Sequence, residues 1–164
     1  MAPAGALERL EELGPPDVVL LTNRHHYRDT GKIVERFGCT VRAASPGMQN
    51  FDEEQPVEPF DFGDSLLDDL ATAHEVGGIC PDETAIHFPS QRALALADGT
   101  IRYGDELTFV PDSYMDEPEQ TKTTLKDAYG RLAEELDFDH LLLAHGSPVI
   151  GDGRERLRAF ANLV

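Results

Sequence analysis

An α/β fold is expected from three features of the sequence. First, a short apolar run, Val18 to Leu21, passes through a polar turn into an amphipathic helix and then a second apolar run. Such strand–helix–strand units join parallel strands. Second, the middle of the chain alternates short β-type runs with turn dipeptides. Third, the last third returns to helix, buried strand, helix.

Taken in order, Ala6, Leu10 and Leu13 share one helical face, and Gly14-Pro15-Pro16 stops that helix. Val18 to Leu21 is a continuous apolar run of the kind found in buried strands. The turn Asn23-Arg24-His25-His26-Tyr27-Arg28-Asp29 follows. Ile33, Val34 and Phe37 mark the inner face of a second helix, closed by Gly38, and Thr40 to Ala43 is the next strand. Ser45 to Pro59 is acidic, proline-bearing and aperiodic, and is expected to be a loop. Strands are expected at Thr72–Val76, Ala85–Phe88, Ala93–Ala97, Thr100–Tyr103 and Leu107–Val110. Pro89-Ser90, Asp98-Gly99 and Gly104-Asp105 supply the turns between them. Leu125, Tyr129, Leu132 and Leu136 stripe a long helix, His140 to Ala144 is a buried strand, and Gly153 to Leu163 is a terminal helix.

Residues 1–164 are expected to form a single domain with a sufficient core. The net charge of -17 argues against nucleic-acid and anionic-membrane partners, which favour a basic face. No apolar run reaches membrane-spanning length, and Met1-Ala2-Pro3-Ala4-Gly5 has no secretory pattern, so a cytoplasmic protein is expected. Cys39 and Cys80 are far apart and read as reduced, half-buried thiols. Lysine is nearly absent beside arginine. An acidic, lysine-poor surface suits a salt-loving protein, and an arginine bias of genomic origin explains the same skew.

Two stretches place histidine at the tip of an apolar run: Leu20-Leu21-Thr22-Asn23-Arg24-His25-His26 and Leu141-Leu142-Leu143-Ala144-His145-Gly146. With the element order, they resemble the metallo-β-lactamase-fold superfamily. The resemblance covers most of this chain and implies a truncated metallo-β-lactamase-like αββα sandwich with mixed sheets. The family's N-terminal strand pair has no counterpart before the first helix; a sequence that starts late and a genuine short form both account for that. Its first motif, Thr-His-x-His-x-Asp-His, falls on Thr22 to Arg28. Only His25 lands on a ligand position, while Asn23, Tyr27 and Arg28 stand where the other three ligands would be. The Gly-His pair falls on Gly77-Gly78, the strand-ending aspartate on Asp98, and the late histidine on His145 in His145-Gly146-Ser147-Pro148.

The resemblance therefore implies three surviving ligand positions, His25, Asp98 and His145, drawn from both halves of a two-metal site. Tyr27 removes an anionic ligand, and Arg28 adds a permanent positive charge. The leading expectation is a protein without an intact dinuclear site, with no cofactor, binding a small ligand or a protein. The alternative is a mononuclear hydrolase holding one Zn or Fe ion on His25, Asp98 and His145, with His26, His74 or His87 able to assist. Arg24 and Arg28, with His25, Asp98 and His145, outline a cleft for an anionic small molecule. Pairing of both arginines with surface carboxylates is the plain alternative. Cys80 is a poor nucleophile beside Asp82 and Glu83, and Ser147 lies outside any nucleophile-elbow pattern. An exposed sheet edge leads to the expectation of a homodimer.

Overall fold

The computed structural model describes residues 5–162. Leu163, the expected end of the last helix, lies outside them, as do Met1 to Ala4. Helix α1 (Ala6–Leu13) leads into β1 (Val18–Leu20), α2 (Thr30–Phe37) and β2 (Thr40–Ala44). Gly38 closes α2 in the left-handed region, at φ 69°. Strands β3 (Val57–Phe60), β4 (Ser65–Leu66), β5 (Ala71–Glu75), β6 (Thr84–Phe88) and β7 (Ala93–Leu96) follow. The chain continues through β8 (Thr100–Tyr103), β9 (Glu106–Phe109), α3 (Pro118–Glu135), β10 (His140–Leu143) and α4 (Gly153–Ala161).

The strands form a parallel three-stranded sheet, β1-β2-β3, a mixed five-stranded sheet, β10-β7-β6-β5-β4, and the hairpin β8-β9. Three apolar clusters define the layers. Val34 of α2 packs on Val41 and Ala43 of β2. Ala44 and Phe60 of the parallel sheet meet Ala71, Ala73 and Ile86 of the mixed sheet. Leu94, Leu96 and Leu141 pack against Leu125, Tyr129 and Leu132 of α3 and Leu157 and Phe160 of α4. On β7, Leu94 and Leu96 turn to the helices while Ala95 between them joins the sheet-to-sheet cluster, as strand alternation requires. The order is helix, sheet, sheet, helices: the expected αββα sandwich.

The stretch Ser45 to Pro59 departs from its expectation as a loop. Ser45–Asn50 is a 3-10 helix, and Val57–Phe60 is a strand paired with β2 in parallel register. Pro59 argues against a strand in the sequence. It is tolerated because β3 lies at the sheet edge, where a missing N–H leaves no ladder bond unmade.

Candidate metal and ligand site

Three strand ends converge. The register of the parallel β7–β10 pair, with Leu143 beside Leu96, carries His145 alongside Asp98 two residues beyond both strands. The end of β1 comes in from the other sheet, where Thr84 N–H donates to the Thr22 carbonyl at 2.8 Å. Asn23, 1% exposed, caps the short 3-10 helix Arg24–His26 by accepting from His25 N–H at 3.0 Å.

Asp98 is the hub. Its Oδ1 lies 3.0 Å from His26 Nε2 and 3.0 Å from His145 Nε2. Its Oδ2 accepts from Asn23 Nδ2 at 3.1 Å. Thr22 Oγ1 lies 2.9 Å from His26 Nδ1. Burial alone would raise the Asp98 carboxyl. The hydrogen bonds from His26 and Asn23 and the charges of His26 and His145 outweigh it and hold the group well below the usual carboxylate range.

His26, Asp98 and His145 each offer a donor atom within 4.8 Å of the others. The expected trio contained His25, and the turn geometry explains the substitution. In a 3-10 helix adjacent side chains project about 120° apart, so only one of two neighbouring histidines faces inward. That one is His26; His25 is exposed.

The other candidate residues separate clearly. Arg24 is occupied by Asp82, whose carboxylate accepts from Arg24 N–H at 2.6 Å and lies 3.0 Å from Arg24 Nε. Arg28 donates Nε–H to the His25 carbonyl at 2.9 Å and has no carboxylate partner among the described residues. Tyr27 packs its ring against Phe51, 6.0 Å between centroids, and works as an apolar anchor. Gly78 stands at φ 86°, and a Cβ there would lie 2.8 Å from the Leu125 side chain, so a histidine has no room. His74 and His87 pair with each other, 6.2 Å between ring centroids, and take no part in the cluster. Burial and the charges of Asp82 and Glu83 push the Cys80 thiol up to about 12, which makes it inert.

Asp82 and Glu83 carried no site signal in the sequence beyond their effect on Cys80. Asp82 fits because Gly47 has no side chain: a Cβ there would lie 2.6 Å from the Asp82 carboxyl carbon. Glu83 is fully buried, and its Oε1 accepts from Gly99 N–H at 2.7 Å, directly behind Asp98.

Two cavities open beside the cluster. One of about 600 Å³ is lined by His25, Arg28, Asp98 and His145 and by the apolar residues Ile79, Ile101, Val110, Pro111 and Tyr114. The other, about 490 Å³, borders His26, Arg28 and His145 together with Ile33 and Leu142. Arg28 and His145 face both.

No family sequence model and no curated protein matches this chain. Solved structures do. TTHA1623, in a di-iron-bound form, is 18% identical and superposes with a TM-score of 0.71 over 98% of this chain and 85% of that one. A metallo-β-lactamase from Pontibacter korlensis is 15% identical, with a TM-score of 0.69 over 96% of this chain and 75% of that one. The metallo-β-lactamase family protein TTHA1429 from Thermus thermophilus is 19% identical, with a TM-score of 0.66 over 96% of this chain and 65% of that one. The protein has the metallo-β-lactamase fold. Among its described residues, one three-residue group has the spacing to hold a metal ion.

Proposed function

We propose that this protein binds one divalent metal ion through His26, Asp98 and His145 and acts as a single-metal hydrolase. The observation that carries the reading is the convergence of two imidazole nitrogens and one carboxylate oxygen at the mouth of a cleft. Two histidines and one carboxylate with open positions is a recognised donor set for single zinc and non-haem iron ions. Three donors do not suffice for two ions and a bridging ligand, so dinuclear chemistry is not part of the proposal.

Two of the three donor separations are close to what one ion needs. Ligands of a tetrahedral ion with bonds of about 2.1 Å stand about 3.4 Å apart. The two 3.0 Å contacts to Asp98 need only a small opening. Asp98 is ionised at neutral pH, and Asn23 holds its Oδ2 so that Oδ1 is presented to the imidazoles. Thr22 Oγ1 can accept from His26 Nδ1–H, which orients the ring and frees the Nε2 lone pair. A bound ion supplies electrophilic activation of a carbonyl or phosphoryl oxygen and of water.

A second reading, a metal-free binding cleft, is favoured by one observation. As they stand, His26 can donate to Asp98 at 3.0 Å and Asn23 donates to its other oxygen, with His145 Nε2 in ion-pair range, so Asp98 is satisfied without an ion.

Elemental analysis of untagged protein, followed by titration with Zn²⁺, Fe²⁺ and Mn²⁺, separates the two. We expect one ion per chain. His26→Ala or His145→Ala should lower affinity by about 100-fold or more, beyond the loss typical of supporting residues, and His25→Ala should leave it unchanged. A protein that stays folded and takes up no ion establishes the metal-free reading instead.

A further inference from the structure

We infer that the 600 Å³ cavity takes a small amphiphilic carboxylate, one negative charge on an apolar body. Naming this ligand as the substrate rests on the single-metal reading above; its binding does not.

The cavity has the volume of a small-molecule site, with an apolar wall and a few placed polar groups. Ile79, Ile101, Val110 and Pro111 form the wall. Tyr114 stands at the rim, 70% exposed, a large aromatic surface available to a ligand.

The polar end is Arg28. Its Nε–H is committed to the His25 carbonyl, which fixes the guanidinium and leaves its terminal nitrogens for a ligand. The chain has 31 acidic residues, and most of its arginines take one: Arg24 holds Asp82, Arg102 holds Asp105, and Arg156 holds Asp152. Arg28 faces a cavity with no carboxylate partner among the described residues. The one carboxylate lining the cavity, Asp98, already accepts from Asn23 and His26 and lies against His145.

The charge sets the ligand class. A guanidinium presents a planar fork that matches a carboxylate. In the metal-free cavity a dianionic phosphate would bring a second charge beside Asp98, and Arg28 is the one permanently cationic side chain lining it. A neutral ligand would cover Arg28 without giving it a partner, which is costly. The net charge of -17 repels an anion at long range, but screening confines that repulsion to about 10 Å at 0.1 M salt, so capture depends on the local contact.

The test uses phenylbutyrate and its neutral analogue phenylbutanol, titrated calorimetrically into the 164-residue chain after dialysis against chelator, with circular dichroism as the check on folding. Phenylbutyrate should bind about tenfold or more tightly than phenylbutanol, the worth of a charge-assisted hydrogen bond. Arg28→Gln should remove that preference and leave phenylbutanol affinity unchanged. Tyr114→Ala should weaken both. If the folded wild type binds neither probe, or Arg28→Gln keeps the preference, the inference is overturned. Zinc uptake by the same preparations keeps the two readings apart. A chain that takes phenylbutyrate through Arg28 but no zinc retains the cavity assignment and loses the single-metal reading. A chain that takes zinc and refuses phenylbutyrate does the reverse.

Discussion

Asp98 and Glu83 both meet Gly99, one as its chain neighbour and one as the acceptor of its N–H, yet their surroundings shift the two carboxyls in opposite directions. Donors from His26 and Asn23 keep Asp98 ionised. Glu83 is pushed up to about 8, first by burial and further by the charges of Asp98 and Asp82, against the hydrogen bond from Gly99. Below its ordinary value of 4.5, Glu83 is protonated in both the folded and the unfolded chain. Between 4.5 and about 8 only the unfolded chain has released the proton, so stability falls as pH rises through that window and levels off above it. Glu83→Gln keeps an acceptor for Gly99 and cannot ionise. Urea unfolding should therefore show the variant gaining on the wild type from pH 5 to pH 8, by an amount on the order of a few kcal/mol. Equal slopes for the two proteins would show that Glu83 is ionised in the fold. Asp98 and His145 were readable from the sequence because each ends an apolar strand, and parallel register brings such ends together. The choice between His25 and His26 was not, because it depends on the hand and pitch of a three-residue turn. Asn23 looked like a lost ligand; its burial and its bond to Asp98 give it a supporting part instead.

Among the elements, the tip of β10 is the most constrained. Gly146 follows His145 at φ 91°, and a Cβ there would run into the backbone carbonyl of Arg102, on β8. The close approach is the one in which Arg102 N–H donates to the His145 carbonyl at 3.1 Å. Gly146→Ala should cost about 2–4 kcal/mol through backbone strain and overpacking, measurable by chemical denaturation. It should also weaken the proposed metal binding, because the clash shifts His145. A Gly146→Ala protein with unchanged stability and zinc affinity would mean the tip yields freely. The glycine of the His-Gly pair is thus a packing requirement of β8 against β10. The strand–helix–strand opening, the striped α3 and the buried β10 were legible from periodicity. Strand β3 was hidden by Pro59, and β4 by its length of two residues. The close fit of Gly47 on Asp82 was hidden because small residues leave no pattern that specifies what fills the space they vacate.

At the scale of the whole molecule, charge is the dominant variable. The chain carries 31 acidic against 14 basic residues, so self-repulsion opposes the compact state in dilute salt. Ordinary screening is largely complete once the Debye length has fallen to about 3 Å, near 1 M salt. A protein adapted to concentrated salt should keep gaining beyond that point. We expect a melting series from 0.1 M to 3 M KCl to rise throughout, with a total gain of about 2 kcal/mol, or about 4–8 °C for a chain of this size. A plateau well below 1 M would reduce the acidic surface to a solubility device. No described helix is long and apolar enough to cross a membrane.

The contacts that close the cluster join residues far apart in the chain: Asn23 and Asp98 are separated by 75 positions, and His26 and Asp98 by 72. Contacts of such range form only after long loops have closed, and they slow folding accordingly. His145 joins Asp98 from just beyond the end of β10, the penultimate element. The three donors therefore come together only when both sheets and the strand following α3 are in place, so the proposed metal uptake would report completion of the fold and not its beginning. During refolding, its time course should follow the slowest structural phase.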